Sequence, residues 1–194
     1  MKFILASSSP RRQMLLKRLN ISFDIMPPDI DETIIIPDGN PEKYCIDLAK
    51  LKANDISPHY PNKVIIGADT IVVIGDEILC KPENKTSAKY MLNKLNNSIH
   101  QVYTGVSIIW DENKIYHSFA EITSVTFRNL KDEEIDYYIQ SFPPLDKAGA
   151  YGIQDWSAIF VKEIKGCYDN VVGFPISRFY QELKKIGINL LDSN

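Results

Sequence analysis

The sequence predicts an α/β protein with a mixed central sheet flanked by helices, and three observations carry that prediction. Short β-branched runs, residues 64–68 and 71–74 among them, are bounded by turn residues. Ser9-Pro10 and Asn40-Pro41 each place a capping side chain and a first-turn proline ahead of an amphipathic segment. Hairpin signals at Gly75-Asp76 and Asp111-Glu112-Asn113 interrupt the alternation of strand and helix, so the sheet is mixed and not doubly wound.

In chain order, Phe3–Ala6 reads as a strand that ends in the loop Ser7-Ser8-Ser9. Ser9 caps a helix with Met14, Leu15 and Leu19 on its inner face, ending near Asn20. Residues 22–26 form a second short strand, and residues 27–40 an acid-bearing loop. The helix opened by Asn40-Pro41 turns Tyr44, Leu48 and Leu51 inward. Residues 64–68 and 71–74 are strands on either side of Asp69-Thr70, and Glu77–Leu79 pairs back as a hairpin. A helix over 87–96 buries Met91, Leu92 and Leu95. Residues 102–110 and Ile115–Phe127 read as two long antiparallel strands. A helix over 132–140, a strand over 158–164 and a last helix over 175–186 complete the chain, the last with Ile176, Phe179, Leu183 and Ile186 inward. No linker of disordered composition interrupts 1–194, which is expected to be a single domain. At 194 residues it is about 1.3 typical domain lengths.

Composition excludes several function classes. Twenty-two Lys and Arg against 25 Asp and Glu leave a net charge of −3, which excludes a globally basic nucleic-acid binder and argues against loose attachment to anionic lipid. At 44% hydrophobic residues the chain is not disordered. Cys45, Cys80 and Cys167 are far apart with no C-x-x-C pair, against a disulfide framework or thiolate zinc site and in keeping with a reducing cytosol. The apolar start of the chain stops at Ser7 and meets Arg11-Arg12, too short for a secretory core, and nothing approaches the ~18 apolar residues of a membrane span. A soluble, cytoplasmic protein is expected. Neither a G-x-x-x-x-G-K-[ST] nor a G-x-G-x-x-G motif occurs. His59, His100 and His117 lack metal-ligand spacing and read as ordinary polar residues. Tyr103, Trp110, Tyr116, Phe119 and Phe127 read as core or cross-strand residues.

Charge order points toward a phosphate and metal site. Lys2, Arg11, Arg12, Lys17 and Arg18 precede any acid, after which residues 24–47 hold seven acids and one base, Lys43. On charge alone a solvated helix beside a solvated loop is the simpler reading. The loop 7–12 shifts the balance. A strand delivers Ser7 and Ser9 onto a helix N-terminus, where unpaired N–H groups and the dipole attract an anion. Arg11 and Arg12 in the first turn oppose that dipole unless an anion lies there, and both can fork onto phosphate oxygens. Asp69, set between two β-branched runs, can hold a metal or take a proton from water; the alternative is a turn-forming Asp. Asp31-Glu32 offers further oxygen ligands. Lys52 and Lys81 can counter phosphate charge, although singly each is an ordinary surface residue. The small, Gly-rich stretch 146–154 suits close approach to its backbone, or a tight turn.

In order and spacing, Leu5-Ala6-Ser7-Ser8-Ser9-Pro10-Arg11-Arg12, Asp31-Glu32, Lys52, Gly67-Ala68-Asp69-Thr70, Lys81-Pro82, Asp146-Lys147-Ala148-Gly149-Ala150-Tyr151-Gly152-Ile153-Gln154 and Val171-Val172-Gly173-Phe174-Pro175 resemble the Maf family over nearly the whole chain. The resemblance implies an inosine-triphosphatase-like, two-lobed architecture with a central cleft. It also implies a cytoplasmic, often dimeric nucleoside triphosphate pyrophosphatase that needs a divalent metal, Mg²⁺ ahead of Mn²⁺. Ala68-Asp69-Thr70 with Arg11 and Gln154 is similar to the subgroup that acts on dTTP and UTP. Asp69 matches the family's proton acceptor, and Arg11, Thr70 and Gln154 its specificity positions. Cys80 and Asp155-Trp156 depart from the family's pattern of small residues there. The expected roles are Asp69, Lys52 and Lys81 in catalysis; Ser7, Ser9, Arg11, Arg12, Thr70 and Gln154 on substrate; and Glu32 with Asp69 on the metal. The competing readings are a 7-methyl-GTP or broad modified-nucleotide pyrophosphatase, and a nucleotide-sensing regulator of cell division that does not turn substrate over.

Overall fold

The computed structural model describes residues 2–142 and 144–193. In chain order the elements are β1 (Phe3–Ala6), α1 (Pro10–Lys17), β2 (Phe23–Ile25), α2 (Pro41–Ile56), β3 (Val64–Ile74), β4 (Glu77–Leu79), α3 (Lys85–Leu95), β5 (Ile99–Trp110), β6 (Ile115–Phe127), α4 (Asp132–Ser141), β7 (Val161–Lys165), α5 (Tyr168–Val172) and α6 (Ile176–Lys185). Short 3-10 turns include Glu32–Ile34, Ala148–Ala150 and Trp156–Phe160. The sheet runs β2-β1-β3-β5-β6-β7, with β4 pairing off β3. β1 is parallel to β2 and β3, whereas β3–β4 and β6–β7 are antiparallel, so the sheet is mixed as expected. β5 and β6 are neighbours joined by the turn Asp111–Asn113, a connection too short for any but an antiparallel pair.

The chain divides into two compact units. The first comprises the chain through Asp69, then Thr104–Glu121, then the chain from Gly173 onward. Both anticipated caps form here: Ser9 Oγ accepts from Arg12 N at 3.5 Å, and Asn40 Oδ1 from Lys43 N at 3.0 Å. The inner faces differ from those predicted. On α1, Leu15 and Leu16 are buried while Met14 is exposed and Leu19 half-buried. The helix ends at Lys17, one turn early, because consecutive N–H groups from Arg18 to Asn20 bond three residues back and tighten the chain off its axis.

On α2 the buried face is Cys45, Leu48, Ala49, Lys52, Ala53 and Ile56, with Tyr44 and Leu51 only half-buried. Two glycines explain the rotation. A Cβ built on Gly67 of β3 would overlap the Ala49 carbonyl oxygen and lie 2.9 Å from Ala53 Cβ; one on Gly105 of β5 would overlap the Cys45 carbonyl. The helix backbone therefore rests directly on the sheet, a seat that admits small residues and excludes Tyr44 and Leu51. Ile4, Ala6, Ala53, Ile56, Ile65 and Ile109 pack into one apolar cluster of this unit.

The second unit comprises Thr70–Tyr103 and Ile122–Val172. The Gly75 turn, at φ +58°, returns β4 along β3 with Val73 opposite Ile78. Leu92 and Leu95 of α3 enter the core as predicted, with Met91 only partly buried. Phe127, Tyr138, Ile139 and Phe160 belong to the same core. The predicted strand over 158–164 begins as the 3-10 turn Trp156–Phe160 and becomes extended only at Val161. The short helix α5 carries no periodic apolar pattern in the sequence and was not anticipated.

Candidate active site

β1 and β3 run parallel with Ala6 opposite Gly67. The loop that begins at Ser7 therefore leaves the C-terminal end of β1 level with the stretch of β3 that carries Asp69, two residues past Gly67. Ends of parallel strands are where open α/β sheets place their ligands. Asp69 is not a turn residue: the two predicted strands flanking it are one continuous strand, and Asp69 is inside it, buried. Side chains two apart share a face, so Asp69 points to the side on which Gly67 meets α2. Lys52 lies on α2 one turn beyond Ala49, and its Nζ sits 2.5 Å from Asp69 Oδ1.

The same ammonium is 3.0 Å from Glu32 Oε1. Glu32 opens the 3-10 turn Glu32–Ile34, whose first turn is held by Asp31: its Oδ1 accepts from Thr33 N at 2.9 Å and Thr33 Oγ1 at 2.6 Å. One buried lysine thus joins two carboxylates from segments distant in sequence.

Arg12 completes the cluster. Its Nη1 donates to Ser7 Oγ at 3.3 Å and its Nε to the Gly173 carbonyl at 3.1 Å. Burial lowers its pKa from the ordinary value; the charge of Asp69 raises it, Arg11 lowers it and Glu32 raises it. Arg12 is therefore within electrostatic reach of both carboxylates. Ser7 Oγ also accepts from Ser9 N at 3.2 Å, so its own hydroxyl proton is left to donate outward. Arg11 is half-buried beside Arg12.

Two features were missed in the sequence. The Gly173 carbonyl orients Arg12, a role that the segment Val171-Val172-Gly173-Phe174-Pro175 does not show in its residue types. Asp31, not only Glu32, shapes the acidic turn. Thr70, Lys81 and Gln154 belong to the second unit. Thr70 is half-buried and faces the opposite side of β3 from its neighbour Asp69; Lys81 and Gln154 are exposed, the latter at the tip of a turn. Cys45, buried on α2, is no nucleophile: burial, with Asp69 and Glu42, pushes its thiol up to about 12.

The donor set fits one hard divalent cation. Two carboxylates that share an ammonium can share a metal, and Mg²⁺ takes one or two carboxylates with phosphate and water oxygens filling the remainder. Among the described residues no three or more Asp, Glu, His or Cys side chains converge, so an all-protein cage is not what the residues offer. Among them, too, no helix is long and apolar enough to cross a membrane.

The family model described as Maf-like protein matches residues 2–186. The chain belongs to the Maf family. This Maf chain is 46% identical over 187 residues to the dTTP/UTP pyrophosphatase of Carboxydothermus hydrogenoformans, covering 96% of this chain and all of that protein. It is 47% identical to the protein of the same name from Bacillus mycoides, covering 95% of each. Among solved structures, a HAM1 protein from Coxiella burnetii superposes with a TM-score of 0.53 over 95% of this chain and 99% of that one, at 14% identity. That likeness establishes the fold alone, and it agrees with the mixed α/β sheet described above.

Proposed function

We propose that this Maf chain is a nucleoside triphosphate pyrophosphatase that hydrolyses dTTP and UTP to the monophosphate and pyrophosphate. The observation that carries the reading is the cluster of Lys52, Asp69 and Glu32 beside Arg12, at the strand end where the loop 7–12 begins. The names of the relatives support the substrate.

In this reading the triphosphate lies along the loop, with Ser7 and Ser9 donating hydroxyl hydrogens and Arg11 and Arg12 facing phosphate oxygens. Lys52 and Lys81 counter phosphate charge. Asp69 orients the attacking water and takes its proton as the water oxygen bonds to phosphorus. The α–β anhydride then breaks and pyrophosphate leaves. Positioning and charge stabilisation supply most of the rate in such reactions. Glu32 and Asp69 would hold the divalent metal, Mg²⁺ or Mn²⁺, which when bound neutralises phosphate charge.

Gln154 reads the base, with Arg11 and Thr70 as further specificity positions. Its carboxamide donates to a uracil or thymine carbonyl and accepts from N3–H. Cytosine lacks that N3–H, so pairing fails there. The reading extends to a cytoplasmic protein of one Maf domain that can pair as a homodimer, as the family resemblance implies.

The deciding experiment incubates the pure protein with Mg²⁺ and a panel of nucleotides and identifies both products. Expected are UMP or dTMP with pyrophosphate, at rates well above those for CTP and 7-methyl-GTP. Preferred turnover of 7-methyl-GTP would move the chain to the competing substrate class. Binding without turnover would make it a sensor.

A further inference from the structure

We infer that Asp155, with Ser157, is the positioning residue that holds Gln154 for base selection; the inference rests on the base-reading role proposed above. Gln154 is exposed, at the tip of a turn between buried Ile153 and half-buried Asp155. Nothing in a free tip would hold a carboxamide to one orientation. The turn beneath it, however, is closed on every side.

The Asp155 N–H donates to the Gly152 carbonyl at 3.0 Å. Its Oδ1 accepts from Ser157 N at 2.9 Å and from Ser157 Oγ at 2.8 Å. Ser157, fully buried, is also 2.9 Å from the Gly152 carbonyl and 3.0 Å from Gly152 N through its Oγ. One hydroxyl and one carboxylate therefore clamp both ends of the segment that carries Gln154.

The clamp is anchored in the core of the second unit. Tyr138 donates its hydroxyl to Asp155 Oδ2 at 3.2 Å, and Lys147 Nζ lies 3.5 Å from the same oxygen. The Lys147 stem passes under Gly152, where an added Cβ would lie 2.8 Å from its Cδ and Cε. Next along the chain, Trp156 stacks on Phe142 at 6.2 Å and 11°, and on Tyr138 at 6.2 Å and 16°. A carboxylate that accepts from two groups of the turn and one of the core transmits the rigidity of the core to the tip.

The test measures kcat and KM for UTP and CTP in Gln154→Ala, Asp155→Ala, Asp155→Asn and Ser157→Ala. Gln154→Ala is expected to collapse the UTP-to-CTP ratio of kcat/KM. Asp155→Ala is expected to lower that ratio by roughly tenfold or more, the loss falling on KM more than on kcat, because Gln154 is intact but misplaced. Asp155→Asn keeps an acceptor for Ser157 and is expected to restore most of the ratio, which a general loss of fold would not do. Ser157→Ala removes one oxygen, carries the same expectation as Asp155→Ala, and decides the matter if that variant does not fold. A ratio unchanged in Gln154→Ala would overturn the base-reading role and this inference with it. A ratio lost in Gln154→Ala but kept in both Asp155→Ala and Ser157→Ala would overturn the positioning role alone.

Discussion

Lys52 Nζ lies 2.5 Å from Asp69 Oδ1, and both side chains are almost wholly withdrawn from water, 7% and 11% exposed. A charge pair so placed has lost its hydration and depends on its partner. The strand face on which Asp69 stands and the helix turn on which Lys52 stands are both set by the contact of α2 with Gly67. The chemistry of the site is thus tied to how closely a helix rests on a sheet.

The first consequence concerns Asp69 as proton acceptor. Asp69→Asn keeps the shape and one acceptor oxygen but removes the base. Pyrophosphate release should fall by roughly 10²–10⁴-fold, with the far-ultraviolet circular dichroism unchanged. A folded variant that retains most of the parent rate would remove Asp69 from the reaction.

The second separates stability from catalysis. Lys52→Met leaves the Asp69 carboxylate buried without its cation, and breaking one side of such a pair costs about 3–5 kcal/mol. The double variant Lys52→Met, Asp69→Asn carries no charge at either position of the pair and should recover much of that loss in urea unfolding while remaining inactive. Equal stability of the single and double variants would mean that an unpaired Asp69 carboxylate costs the fold nothing.

Much of this arrangement was legible in the sequence, and the parts that were not share a cause. Ser9-Pro10 and Asn40-Pro41 announced their helices because a cap and a first-turn proline are local signals, and both caps form. A short apolar run announced β1, and β-branched runs announced β3. The inner faces of α1 and α2 were misread because they depend on what each helix meets. Met14, Tyr44 and Leu51 are apolar at plausible positions, yet Gly67 and Gly105 draw the small-residue face of α2 onto the sheet instead. Reading Asp69 as a break between strands followed from its polarity; the structure keeps it inside β3 because Lys52 meets it there. The carbonyl of Gly173 could not be foreseen, since a backbone acceptor leaves no mark on residue type.

Gly67 gives a third prediction. A methyl group there overlaps the Ala49 carbonyl, which is backbone and cannot turn aside as a flexible side chain would. Gly67→Ala should destabilise the protein by roughly 3 kcal/mol, the upper range for overpacking. It should also lower kcat, because α2 must retreat and take Lys52 away from Asp69. Urea unfolding and steady-state kinetics on the same sample check both. An active variant with parent stability would show that α2 rests less closely on β3 than described.

The last prediction concerns His100, read from sequence as an ordinary polar residue and found 1% exposed. Its Nε2 is 2.8 Å from the Tyr151 hydroxyl, its Nδ1 has no hydrogen-bond partner among the described residues, and its ring meets Phe127 edge-on at 4.9 Å. Burial pushes its pKa down to about 4 from an ordinary 6.5. Between those values the unfolded chain binds a proton that the folded one refuses, so stability falls as pH falls through that window and is unaffected above it. The full shift corresponds to roughly 3 kcal/mol by pH 4. His100→Phe keeps the ring packing and removes the titration, but strands the Tyr151 hydroxyl at a cost of about 1–3 kcal/mol. The variant should therefore be the less stable protein at pH 7.5, with the gap closing or reversing toward pH 4. Urea unfolding at pH 7.5, 6, 5 and 4 measures the gap; a constant difference across that range would mean that His100 takes up its proton in the folded protein as readily as in the unfolded one.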